Sequence, residues 1–192
     1  MRVISGKLGG RKFYPPNNLP TRPTTDFAKT GLFNILNNYY DFSEISFLDL
    51  FSGTGSLSYE FASRGSPRIV AVDQDKGAIE FIKKMKIEWN IPTLEVNRSD
   101  VFRFLERNTE PFDVIFAGPP YPLETIDDLP AKVLEKNILK EGGMFILETS
   151  PKHQYKDHPH FLQVRNYGQT HFHFFSAKKN NAQIPTRNDV DP

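Results

Sequence analysis

The stretch Phe47-Leu48-Asp49-Leu50-Phe51-Ser52-Gly53-Thr54-Gly55-Ser56 most restricts how this chain can fold. It opens as a short apolar run, the pattern of a buried strand. It closes in a turn where Gly53 and Gly55 permit φ > 0 or a close approach of another molecule to the backbone. Leu57 to Arg64 follows as a helix, with Gly65 as its stop. Strand, glycine turn and helix begin a nucleotide-binding βαβ unit. The full dinucleotide fingerprint would place a third small residue at position 58, where this chain has Ser58. Alone this broken motif is a weak signal, since many ordinary turns carry two glycines; the segments that follow give it weight.

The rest of the chain repeats the alternation. Arg68–Val72 reads as a second buried strand with Asp73 at its carboxyl end, where an acid accepts hydrogen bonds from a ribose. Helix 76–89, strand 93–97 ending in Ser99-Asp100, helix 101–107 and strand 112–117 follow. That last strand runs into Gly118-Pro119-Pro120-Tyr121. A helix is expected over 126–139, stopped by Gly142-Gly143, then a fifth strand over 144–148. Segments 161–165 and 171–176 read as a closing antiparallel hairpin. Ahead of the core, 2–5 and 11–14 read as a β-hairpin, and 27–38 as a helix capped by Thr24, Thr25 or Asp26.

Alternating strands and helices require a mainly parallel sheet with helices on both faces. The expected class is α/β, a doubly wound, Rossmann-like sheet with an antiparallel C-terminal hairpin and an N-terminal β-hairpin extension. We divide the chain into a hairpin-and-helix extension at 1–40, a core domain at 41–176 and a disordered tail at 177–192. Ligands bind such sheets beyond the carboxyl ends of the strands. Ser52–Ser56, Asp73, Ser99-Asp100 and Gly118–Tyr121 all fall there, which points to one site.

Charge adds a second clue. The net charge is only +1, but residues 1–25 carry Arg2, Lys7, Arg11, Lys12 and Arg22 and no acid. Residues 150–180 are basic apart from Asp157. Basic ends around a nucleotide site could form a phosphate-facing rim, or simply a soluble surface. The chain has no cysteine, so thiolate metal sites and disulfides are excluded. The five histidines lie late in the chain without an accompanying acidic ligand pattern, and no metal is expected. The chain has no 18-residue apolar run that would span a membrane, and the N-terminus lacks a signal-like apolar run, so a cytoplasmic protein is expected; a monomer is also expected, on no sequence signal.

Asp49–Ser56, Asp73, Asp100 and Pro119-Pro120-Tyr121 together resemble class I S-adenosylmethionine-dependent methyltransferases that modify amines. The opening Met1–Lys7, Thr21-Arg22-Pro23-Thr24-Thr25-Asp26, Phe33-Asn34-Ile35-Leu36 and Tyr167-Gly168-Gln169-Thr170 are similar to bacterial enzymes that methylate the exocyclic N2 of a guanine in 16S ribosomal RNA. The resemblance covers residues 1 to about 176.

It implies S-adenosylmethionine as cofactor and 16S ribosomal RNA or the small ribosomal subunit as partner. Asp49, Phe51, Ser52, Gly53, Thr54, Gly55 and Ser56 would cradle the cofactor's amino-acid part. Asp73 would hold its ribose, with Gln74, Ser99, Asp100 and Val101 about the adenine. Gly118, Pro119, Pro120 and Tyr121 would hold a flipped base. Lys7, Arg11, Lys12, Arg22 and Thr24 would face RNA. The family's motif has Asp or Asn where this chain has Gly118, so one acceptor for the reacting amine is missing. Losing such an acceptor costs roughly 1.5–3 kcal/mol. Glu124, the nearest carboxylate in sequence, could serve in its place. Two other readings stay open: an adenine N6-methyltransferase of DNA or RNA, and a non-catalytic RNA-binding assembly factor.

Overall fold

A computed structural model describes residues 1–19, 24–120 and 123–178. Arg22, Tyr121 and nearly all of the expected disordered tail lie outside the described residues. The described chain forms one seven-stranded sheet in the order β3-β2-β1-β4-β5-β7-β6. These strands are β1 (Ser46–Leu50), β2 (Arg68–Asp73), β3 (Leu94–Arg98), β4 (Phe112–Ala117), β5 (Leu139–Thr149), β6 (Phe161–Tyr167) and β7 (Thr170–Ser176). The first five are mutually parallel, and β7 runs antiparallel to both β5 and β6. This is the doubly wound sheet with a closing hairpin that the pattern predicts.

Strand periodicity divides the core into two layers. Phe47, Ala71, Phe116, Ile146 and Phe174 face one side. There they meet α1 (Asp26–Leu36), α2 (Ser56–Ser63) and α3 (Lys76–Glu88) through Leu32, Tyr59 and Ile82. Leu48, Val70, Ile115, Phe145 and Phe175 face the other side, against α4 (Val101–Arg107) and α5 (Leu129–Leu134). Asp49, on the first face, is the exception to an apolar β1 centre.

The N-terminal hairpin has one bridging pair, Arg2 with Lys12, rather than the two expected strands. The reason is competition for its donors. Ile4 N and Ser5 N donate to the Glu60 carboxylate at 2.8 and 3.1 Å instead of to a partner strand. Glu60 is fully buried on α2 and also receives the Arg64 guanidinium at 2.9 Å. Lys29, equally buried, donates to Arg2 O at 2.5 Å and Ser56 Oγ at 3.2 Å, with Glu60 at 3.9 Å. Burial lowers the Lys29 pKa, and the Glu60 charge opposes that shift. Lys7 N and Leu8 N continue the attachment to Ser63 at 2.7 and 2.8 Å. Gly6 makes this approach possible. A Cβ there would lie 2.1 Å from Ser63 O, and its φ is +82°.

The helix expected over 126–139 is a second correction. A 3₁₀ turn covers Ile126–Asp128, α5 ends at Leu134, and β5 already begins at Leu139. Gly142 and Gly143 lie inside β5 and stop no helix. Phe112 pairs with Leu139 but Val114 pairs with Met144, so β5 bulges between them. Gly142 takes φ +74°, and a Cβ on Gly143 would meet Asp113 O at 2.9 Å. Paired glycines serve a helix stop and a bulge equally well, and the sequence pattern does not separate the two.

Replacing Glu60 with Ala leaves Lys29 buried without its carboxylate and two backbone donors without acceptors. The expected loss is about 3–5 kcal/mol of unfolding free energy, read from urea denaturation. An unchanged midpoint would show that this anchor is dispensable.

Candidate functional site

Backbone hydrogen bonds tie the strand ends together. Ser52 N donates to Val72 O at 3.0 Å, Ser99 N to Asp73 O at 3.0 Å, and Gly118 N to Leu50 O at 3.2 Å. The turn after β1, the end of β2, the end of β3 and the turn after β4 thus form one continuous edge. The four segments that the sequence singles out are brought together.

The turn after β1 is held in uncommon backbone geometry. Gly53 and Gly55 have φ of 52° and 76°, and Phe51, which carries a side chain, has φ 59°. Such conformations cluster where surrounding structure enforces them, often at ligand sites. Gly55 is also required by space, since a Cβ would meet the Tyr59 hydroxyl at 2.8 Å and Ile82 at 3.0 Å. Phe51 leans edge-on toward Phe102. Thr54 and Ser56 are buried, and Ser56 Oγ accepts from Lys29. Ser52 Oγ is buried and has no hydrogen-bond partner among the described residues. A buried hydroxyl left this way is costly unless a ligand completes it.

Asp73 shapes the turn from β2. Its Oδ2 accepts from Gly53 N at 2.8 Å and its Oδ1 from Asp75 N at 2.9 Å. Each oxygen has a further lone pair, so ligand hydroxyls can be accepted without displacing these donors. Gln74 is exposed. Asp100 caps α4 by accepting from Arg103 N at 3.0 Å, and Val101 is buried in the first turn. Ser99 Oγ donates to Asp100 O at 2.9 Å.

Asp49, which the resemblance assigns to the cradle, lies buried beneath the turn. Its Oδ2 accepts from Ser58 Oγ at 2.6 Å inside the core. Ser58 therefore does more than break the dinucleotide fingerprint: its hydroxyl is the partner of the buried Asp49. Burial pushes Asp49 up to about 7, Asp73 adds to the shift, and the Ser58 bond opposes it.

On the far side of the edge, Gly118 is half-buried and Pro119 is buried. A Cβ on Gly118 would approach the Phe116 ring at 3.0 Å and Glu148 Oε2 at 3.9 Å. Glu148, next to last in β5, is 7% exposed and accepts from Thr24 Oγ1 at 2.9 Å. The sequence reading missed it, although an acid closing the apolar run Met144–Leu147 was a usable signal. Glu124, named instead, is exposed in the turn before the 3₁₀ segment.

Among the proposed RNA contacts, Lys7, Arg11 and Lys12 lie at the surface, and Arg11 lies over the Trp89 ring at 5.9 Å. Thr24 faces Glu148. His173 is held inside the sheet: its Nε2 bonds Thr149 Oγ1 at 3.0 Å, and burial lowers its pKa to about 4. Among the described residues no group of three or more His, Cys, Asp or Glu is arranged for a metal.

A family model described as Conserved hypothetical protein 95 matches residues 1–176. The ribosomal RNA small subunit methyltransferase D of Haemophilus influenzae is 32% identical over 158 residues, covering 78% of each chain. A hypothetical protein of Thermus thermophilus superposes with a TM-score of 0.82 at 25% identity, covering 92% of this chain and 99% of that one. The T. thermophilus 16S rRNA N2 G1207 methyltransferase RsmC, solved with AdoMet and guanosine, superposes at 0.65 over 82% of this chain and 45% of its own. At 21% identity, that last likeness is one of fold.

A raised folded-state pKa means that Asp49 favours folding most when protonated. Its contribution is complete below about pH 4 and is lost as pH rises toward 7. Asp49→Asn removes this dependence. The variant is expected to gain on the order of 2–4 kcal/mol over wild type between pH 4 and 8. Denaturation curves at the two pH values check it, and parallel pH profiles would sink the assignment.

Proposed function

From the premise that this chain belongs to the family of Conserved hypothetical protein 95 and of the ribosomal RNA small subunit methyltransferase D relatives, we propose that it methylates the exocyclic N2 amine of a guanine in small-subunit ribosomal RNA. The observation that carries the reading is the shared edge of strand ends. One half offers a glycine turn and an acid, and the other offers a proline turn beside a buried carboxylate.

The residues fit S-adenosylmethionine. Bound there, it supplies an activated methyl group. The Phe51–Ser56 turn would hold its amino-acid part, and the unpartnered Ser52 hydroxyl would gain a partner. Asp73 would accept from the ribose hydroxyls through its remaining lone pairs. Gln74, Ser99, Asp100 and Val101 would border the adenine.

The second half of the site positions the amine. Pro119 and Pro120 carry no N–H, so the turn offers an amine acceptors and no competing donors. Tyr121 would stack on the extruded base, an interaction worth roughly 1–3 kcal/mol. The protein's contribution is orientation in a restricted volume, which lowers the barrier without covalent chemistry on a side chain. Lys7, Arg11 and Lys12 at the surface, with Arg22, would contact RNA phosphates. The reading treats the chain as a monomer in the cytoplasm, with 1–40 as the RNA-facing extension of a 41–176 catalytic domain.

The adenine N6 alternative shares the proline turn; the Haemophilus influenzae relative is by name a methyltransferase of ribosomal RNA, which favours RNA over DNA, and the guanine reading rests on the resemblance of Met1–Lys7, Thr21–Asp26 and Tyr167–Thr170. The binding-only alternative rests on Gly118.

Labelled methyl should pass from S-adenosylmethionine to small ribosomal particles that lack the modification, and nuclease digestion should return N2-methylguanosine. Label in N6-methyladenosine would transfer the assignment to the adenine class. No label with cofactor still bound would favour the binding-only protein. Asp73→Ala should weaken cofactor binding by about 10-fold or more in calorimetry while the domain stays folded, with a lower melting temperature from the two backbone donors left unmet. Arg11→Ala with Lys12→Ala should reduce the slope of RNA affinity against salt by about two phosphate contacts.

A further inference from the structure

We propose that Glu148 supplies the amine acceptor that Gly118 cannot, so that the reacting nitrogen is oriented by a carboxylate borrowed from the neighbouring strand. The inference rests on the methyltransferase reading above and adds a residue to its site.

Strand register makes the substitution possible. β4 and β5 are parallel, and Ala117 pairs with Leu147. One step further along both strands, Gly118 and Glu148 are neighbours at the carboxyl edge. Their side-chain directions share the face that holds Phe116 and Ile146. A Cβ built on Gly118 would stand 3.9 Å from Glu148 Oε2. A carboxylate on a residue at 118 would therefore project into the region that the Glu148 carboxylate already occupies. The same geometry explains the glycine. Phe116 lies 3.0 Å from that Cβ position, is nearly fully buried and packs edge-on against Phe172. The ring leaves little room for a side chain at 118, and the acidic group comes from β5 instead.

Glu148 is placed to be held still. It is buried at the strand end, and Thr24 Oγ1 donates to Oε2 at 2.9 Å. Thr24 immediately precedes Thr25, the cap of α1, so the carboxylate is fixed from both the sheet and the N-terminal segment. An ionised carboxylate offers about four acceptor positions. A donor from Thr24 is compatible with a further donor from an amine.

The step balances without another reagent. The amine nitrogen forms a bond to the methyl carbon as the carbon–sulfur bond breaks, and that electron pair stays on sulfur. The nitrogen then releases one proton, which passes to the Glu148 carboxylate and on to water. Before transfer, the same carboxylate accepts the amine N–H and turns the nitrogen lone pair toward the methyl group.

The test compares wild type, Glu148→Leu and Glu148→Gln in methyl transfer to unmodified small ribosomal particles. Cofactor affinity by calorimetry and melting temperature are read in parallel. Leu keeps roughly the size of Glu without any acceptor, and Gln keeps its shape together with an amide oxygen that accepts. The expected result is a roughly 10–100-fold fall in kcat for Glu148→Leu with KM and cofactor Kd changed less than about threefold, and a higher kcat for Glu148→Gln than for Glu148→Leu. Three results overturn the proposal. One is Glu148→Leu within twofold of wild type. Another is Leu matching Gln, because that shows the acceptor is not used. The third is loss of kcat in step with cofactor affinity or melting temperature. Absence of transfer by wild type itself would remove the methyltransferase reading, and this inference with it.

Discussion

The parallel register of β3-β2-β1-β4-β5 is the constraint on which the rest of the site depends. Parallel strands bring their carboxyl ends to one edge, and the turns after β1, β3 and β4 are tied to a neighbouring strand by a backbone bond. Ser52, Ser99 and Gly118 each donate to the strand beside their own. A one-residue slip in this register would reverse side-chain faces. It would separate Asp73 from Gly53 and Glu148 from Gly118. The site is thus a product of sheet pairing before it is a product of particular side chains.

A second layer of organisation holds the N-terminal segment to this sheet. Buried Glu60 takes two backbone donors from residues 4 and 5 and an arginine from its own helix, with Lys29 close by. Isolated buried charges are expensive, so the arrangement is tolerable only because each is met by opposite charge or by donors. Its effect is positional. It fixes where Arg2 through Leu8 leave the core and where α1 begins. Thr24 and its bond to Glu148 follow from that placement. The basic N-terminal surface and the carboxyl edge of the sheet are consequently parts of one rigid geometry.

Three residues in and beneath the turn after β1 depart from the apolar or regular-backbone pattern around them. Asp49 interrupts an otherwise apolar strand and is satisfied by Ser58. Ser52 is buried without a partner among the described residues. Phe51 accepts a left-handed backbone despite its side chain. All three lie within the turn or directly beneath it.

The sequence alone determined the α/β class, the alternation of strands and helices, and the four segments that meet at the site. Apolar runs, glycine turns and residues at strand ends are local signals, and they survive folding unchanged. It left the Gly142-Gly143 pair ambiguous, because a bulge and a helix stop use the same backbone freedom, and it overextended the N-terminal hairpin. The tertiary structure decided those matters, since Asp113 O crowds Gly143 and Glu60 captures the hairpin's donors. It also decided the partners that are distant in sequence. Ser58 faces Asp49 because α2 packs on β1. Glu148 reaches Gly118 because β5 lies beside β4, 30 residues away along the chain. A pattern along one dimension carries no record of such neighbours; only pairing between strands creates them.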